Sequence, residues 1–140
     1  MDKKIIITIN QSKPKNQNMK KAIKIDVEKQ TLEYITIEDG LNPIYEAIGN
    51  ECSCFCCPVS FENEDTIYCD DEILLDTDKI KGGFIMEDWQ VPLCGNAIIL
   101  GTDMEGDSVD VKSDIELLKK QIHFINEFKA KSYANLVMGY

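Results

Sequence analysis

The chain has 140 residues, 44% of them hydrophobic, and a formal net charge of −10. That length suits one domain whose core needs no disulfide or metal staple. All 15 cationic residues are lysine, so the guanidinium fork that grips phosphate and guanine is missing. The charge is uneven. Residues 1–30 carry 8 Lys against 3 acids, residues 31–114 carry 3 Lys against 20, and residues 115–140 carry 4 Lys against 2, so the segments stand at +5, −17 and +2. A middle region of that sign repels a phosphate backbone, which disfavours direct nucleic-acid binding.

Near the start, Ile5-Ile6-Ile7-Thr8-Ile9 reads as a strand, and Asn10–Lys20 as a polar linker. The apolar run is shorter than the roughly 7–15 residues of a secretory signal, and no run approaches the ~18 of a membrane span. The expectation is a cytoplasmic protein with no membrane contact, whose six cysteines are reduced thiols. An exposed edge strand at Ile5–Ile9 would favour a homodimer.

Ile23, Ile25 and Val27 alternate as in a half-buried strand, Glu28–Thr31 turns the chain, and Leu32–Ile37 returns antiparallel. Asn42 as cap, Pro43 in the first turn and Gly49 as stop predict a short helix. Residues 52–61 and Thr66–Cys69 predict a hairpin around an acidic turn. Phe84–Met86 reads as a strand, Glu87–Pro92 as a loop, and Ala97–Leu100 as a buried strand between glycines. Ser113-Asp114-Ile115-Glu116 matches a capping box. After it, the stripe Leu118, Ile122, Ile125, with Leu117, Phe124 and Phe128 beside it, predicts one helix over 114–131 packed on the sheet. The expected architecture is α+β, in the order β-β-α-β-β-(β)-β-α, with a small, mostly antiparallel sheet. Residues 1–19 would be an N-terminal addition to a single domain over 20–140.

Several constellations are candidates for chemistry. Cys52, Cys54, Cys56 and Cys57 are spaced C-x-C-x-C-C. Alternate residues of a strand lie roughly 6.5–7 Å apart, whereas thiolates on one zinc need to be about 3.8 Å apart. The preferred reading is small apolar strand residues, with a metal site as the alternative. Asp103, Glu105 and Asp107 resemble the start of a calcium loop, but Ser108 stands where that loop needs glycine and Asp114 where it needs a bidentate Glu. Further acids, Asp70, Asp71, Glu72, Asp76, Asp78, Glu87 and Asp88, make with that loop a candidate acidic surface, and Trp89 beside them a candidate contact anchor. His123 is the single histidine, and no nucleophile motif, phosphate loop or dinucleotide fingerprint is present.

Three segments, Lys21–Asp26, Ile67–Glu72 and Pro92–Ser108, resemble a small domain family of unknown function carried by phages, plasmids and other mobile elements, mainly in Firmicutes and gut bacteria. The resemblance covers about residues 20–112. It implies apolar residues at the positions of Cys56, Cys57 and Cys69, and it brings no catalytic residues. Charge and resemblance together lead to the expectation of a non-catalytic, cofactor-free acidic protein. Its partner would be a host or phage protein with a basic surface, such as a nucleic-acid-binding defence protein that it inhibits. The alternative is a metal- or small-ligand-binding protein using Cys52–Cys57 or Asp103–Asp107.

Overall fold

The computed structural model describes residues 19–49, 55–87 and 89–139. The Ile5–Ile9 strand, Cys52, Cys54 and Asp88 lie outside these described residues.

The first hairpin forms where the alternation places it. Strands β1 (Met19–Asp26) and β2 (Thr31–Glu38) pair antiparallel along their whole length. The Asp26 carboxylate closes the turn by accepting from the backbone N–H of Glu28 and Lys29 at 3.1 and 3.0 Å. Helix α1 (Leu41–Ile48) follows directly. Its N-terminal flank is Gly40 rather than Asn42, which sits in the first turn beside Pro43. Gly49 ends it at φ +77. The expected second hairpin is β3 (Phe55–Ser60) with β4 (Asp65–Asp70), with a bulge between Cys56 and Val59.

Two 3-10 turns, Ile73–Leu75 and Thr77–Lys79, lead to β5 (Gly83–Met86) and β6 (Trp89–Cys94). The sequence predicts a loop over Glu87–Pro92. Instead Trp89–Cys94 is an edge strand, where the missing N–H of Pro92 costs no ladder bond. Strand β7 (Ala97–Thr102) is buried along nearly its whole length, as its apolar run predicts, and the short β8 (Ser108–Val109) pairs with its end.

The C-terminal region departs from expectation. The single helix over 114–131 is instead helix α2 (Ile115–Gln121), strand β9 (Ile122–Ile125) and helix α3 (Glu127–Met138). Residues Ile122 to Ile125 pair in antiparallel register with Met86 to Gly83, so ladder bonds replace helical ones. The capping box does not form. Asp114 caps α2 by accepting from Glu116 N–H at 2.9 Å, and the Ser113 hydroxyl donates to Asp65. The Asn126 side chain caps α3 by accepting from Lys129 N–H at 2.9 Å, while Leu117 and Phe128, expected to flank the buried stripe, are exposed.

The first sheet runs β2-β1-β7-β4-β3, with β8 added beside β7, and the second runs β9-β5-β6. Every strand pairing among the described residues is antiparallel. The α+β class therefore holds, as two sheets rather than one. The main core lies between them. Ile23, Ile25, Leu32, Ile67 and Ile99 from the first sheet meet Phe84, Met86, Leu118 and Ile122. Burying each such apolar side chain contributes about 1.5–3 kcal/mol. The other face of the first sheet carries Ala22, Ile37, Ile98 and Leu100 and is covered by Ile44 and Ile48 of α1. Ala130 and Ala134 of α3 pack on Ile73, Ile80 and Cys94.

One amide ties the β6–β7 turn to its surroundings. The Asn96 side chain accepts from Val27 N–H at 2.9 Å and donates to the Ile48 carbonyl at 3.3 Å. Gly101 permits a close approach of backbone, since a Cβ there would stand 2.4 Å from the Asp110 carbonyl oxygen.

Candidate functional site

Strand register decides which acids are neighbours. Asp65 is opposite Gly101, and Cys69 is opposite Ala97. The β3–β4 turn, the β7–β8 loop and the β2–α1 junction therefore lie at one end of the first sheet. The chain leaves β4 through Asp70 at the other end. A six-residue strand spans roughly 17 Å, so the expected acidic surface splits in two.

At the far end, Asp70 is buried and its carboxylate accepts from Glu72 N–H at 2.9 Å. It caps a turn and is not a surface acid, contrary to the sequence reading. Asp71 and Glu72 are exposed. Asp76 accepts from Asp78 N–H at the start of the second 3-10 turn, and both are exposed. These residues do not meet the Asp103–Asp107 loop.

The near end gathers more negative charge than the sequence reading assigned to it. Glu38 and Asp39 leave β2, Glu62 and Glu64 flank the β3–β4 turn, and Asp103, Glu105 and Asp107 form the β7–β8 loop. The cations beside them are few, Lys20 half-buried and Lys112 exposed. Lys20 reaches Asp39 at 3.9 Å and Lys112 reaches Glu64 at 3.7 Å. Ion pairs of this kind contribute little and leave the sign of the surface unchanged. A depression of about 730 Å³ joins Lys20, Asp39, Asp103 and Asp107 on one surface.

The loop is held by its own first residue. Asp103 Oδ1 accepts from Glu105 N–H and Asp107 N–H, both at 2.9 Å, and Gly106 takes φ +88. Oxygens of Asp103, Glu105 and Asp107 lie within 4.8 Å of one another. Three carboxylates, two of them exposed, supply only part of the six to eight oxygens a calcium ion takes. The position expected to close such a loop, Asp114, is committed to capping α2. Of the cysteine run, Cys56 and Cys57 are successive residues of extended β3, and Cys56 stands in register with Cys69.

On the side facing the second sheet, the acidic end opens into a cleft of about 680 Å³. Its apolar wall is Phe61, Met86, Trp89 and Leu117. Trp89 is 38% exposed and Leu117 56%. Glu62, Glu87 and Asp114 supply carboxylates at the rim. Glu87 lies 3.6 Å from His123 Nε2 across the β5–β9 pairing. Of the residues named from sequence, the cleft thus unites Glu87 and Trp89. Glu62 was missed because its neighbourhood with them depends on packing between two sheets. No helix of the described residues is long and apolar enough to cross a membrane.

Comparison with known proteins gives one match. No curated protein matches the chain, and no solved structure matches it. A family model described as "Domain of unknown function (DUF3846)" matches residues 19–123. The match starts with β1 and ends within β9, so it takes in both sheets, α1 and α2 and leaves α3 outside. The chain belongs to that family of uncharacterised domains.

Proposed function

We propose that this chain is a non-catalytic acidic binding protein of a phage or other mobile element, acting in the host cytoplasm. Its partner is a host protein with a basic, nucleic-acid-binding surface, and occupation of that surface excludes the nucleic acid. The observation that carries the reading is the convergence, through strand register, of Glu38, Asp39, Glu62, Glu64, Asp103, Glu105 and Asp107 at one end of the first sheet. Such a surface raises the rate of encounter with a cationic partner and repels phosphate. Of these, Glu38, Asp39, Glu62, Glu64, Glu105 and Asp107 are exposed, and Asp103 holds the loop that presents the last two.

The test compares the full chain with a Glu105→Lys/Asp107→Lys variant as baits for nucleic-acid-binding proteins of a host lysate. A captured protein should elute as salt rises, should escape the variant, and should lose its hold on DNA or RNA when the wild-type chain is added. Capture that is indifferent to both salt and charge reversal would sink the reading.

A further inference from the structure

We infer that the cleft beside Trp89 receives an arginine side chain from an extended, basic segment of the partner, an inference that rests on the acidic-binder reading and gives it a specific contact. The cleft combines three features that one chemical group satisfies together. Part of its wall is apolar, with Trp89 and Leu117 left partly open to solvent, and polar side chains such as Asn63 and Gln121 line the rest. Its rim carries the carboxylates of Glu62 and Glu87. Among the described residues, no lysine lines it.

Charge complementarity selects a cationic occupant, and the tryptophan selects among cations. A guanidinium is flat, weakly hydrated and able to stack on an aromatic face while forking onto a carboxylate. Its aliphatic stem covers apolar surface in doing so. An ammonium fits the charge but not the plane. A volume of about 680 Å³ exceeds one side chain, so the flanking backbone of an extended segment enters with it. An anionic or purely apolar occupant would leave Glu62 and Glu87 uncompensated at the rim, which costs affinity. Of these two, among the described residues, Glu62 makes no ion pair and Glu87 pairs with the exposed His123.

Trp89 is the only tryptophan in the chain, so its fluorescence reports directly on the cleft. The experiment titrates the full chain at low ionic strength with a fluorophore-labelled Gly-Arg-Gly-Arg-Gly peptide and with the same peptide carrying citrulline, the neutral isostere of arginine. Peptide anisotropy and Trp89 emission are followed in parallel. The arginine peptide should bind saturably and change Trp89 emission. The citrulline peptide, and the arginine peptide on a Glu62→Gln/Glu87→Gln variant, should bind about tenfold more weakly or worse. Both glutamates are exposed, and a circular-dichroism spectrum checks that the variant is folded. Binding that leaves Trp89 silent and survives Glu62→Gln/Glu87→Gln, yet disappears in Glu105→Lys/Asp107→Lys, overturns the cleft and leaves the acidic-binder reading standing. Equal binding of arginine and citrulline peptides overturns the cleft as well. No binding of the arginine peptide by either readout overturns both.

Discussion

Asp65 and Ser113, 48 residues apart, are joined through a single oxygen. The Asp65 Oδ2 atom accepts from the Ser113 backbone N–H at 2.7 Å and from its hydroxyl at 2.5 Å. Lys112 N–H adds bonds of 3.0 and 3.1 Å to the two carboxylate oxygens. Asp65 is fully buried at the start of β4, so this carboxylate stitches the first sheet to the chain entering α2. Hydrogen bonds to a charged group contribute about 1.5–3 kcal/mol, and removing one partner strands the others. Asp65→Ala should therefore lower stability by about 3 kcal/mol, seen as a lower urea midpoint at unchanged slope. Ser113→Ala, which removes only the hydroxyl, should cost about 1 kcal/mol.

Asn126 distinguishes the broken C-terminal region from one long helix. As the cap of α3, its replacement by Ala should destabilise the protein by about 1 kcal/mol. Inside a continuous helix the same change would be stabilising by a few tenths of a kcal/mol, because Ala has the higher helix propensity. The sign of the shift in thermal midpoint settles which arrangement exists.

Two glycines should respond to alanine for different reasons. At Gly101 the new methyl group meets the Asp110 carbonyl oxygen, so β8 must move off β7 and the loss should reach roughly 2 kcal/mol or more. At Gly106 nothing lies within 4 Å of the added carbon, but φ is +88. There the cost is conformational, about 1 kcal/mol, and it falls on the acidic loop. Differential scanning calorimetry of the two variants should rank them in that order.

Burial pushes the Cys94 thiol up from 9.0 to about 11. The folded state thus favours the protonated form. The stability this contributes is complete below pH 9 and is lost as the pH rises from 9 towards 11. The full shift corresponds to roughly 2–3 kcal/mol. Cys94→Ala should flatten that part of the stability profile, and in the native protein Cys94 should react slowly with a thiol reagent at neutral pH.

Local signals in the sequence located most elements. Alternation found β1, the turn after it placed β2, the glycine-flanked apolar run found β7, and Pro43 with Gly49 framed α1. The signals failed where a distant residue decided the outcome. Ser113 has the right spacing for a capping box, but Asp65 takes its hydroxyl. Ile122 and Ile125 fit a helical stripe, but β5 offers an unpaired edge to which their β-branched side chains are equally suited. The candidate site shows the same division. The acidic turns are visible one by one, whereas their grouping into two ends follows from the order β2-β1-β7-β4-β3. That order separated Asp71, Glu72, Asp76 and Asp78 from the Asp103–Asp107 loop and brought Glu38, Asp39, Glu62 and Glu64 to it.

The tie made by Asn96 lies beyond the opposite tips of these strands. By joining Val27 to the last residue of α1, it fastens the scaffold at a distance from the Asp103–Asp107 loop. The acidic end has a fastening of its own in Asp65, so each end of the first sheet is tied by one side chain to a distant stretch of chain. On the acidic-binder reading, exposed residues such as Glu62, Glu105 and Asp107 are the ones that can be exchanged to meet a changed partner, while Asp65 and Asn96 must stay.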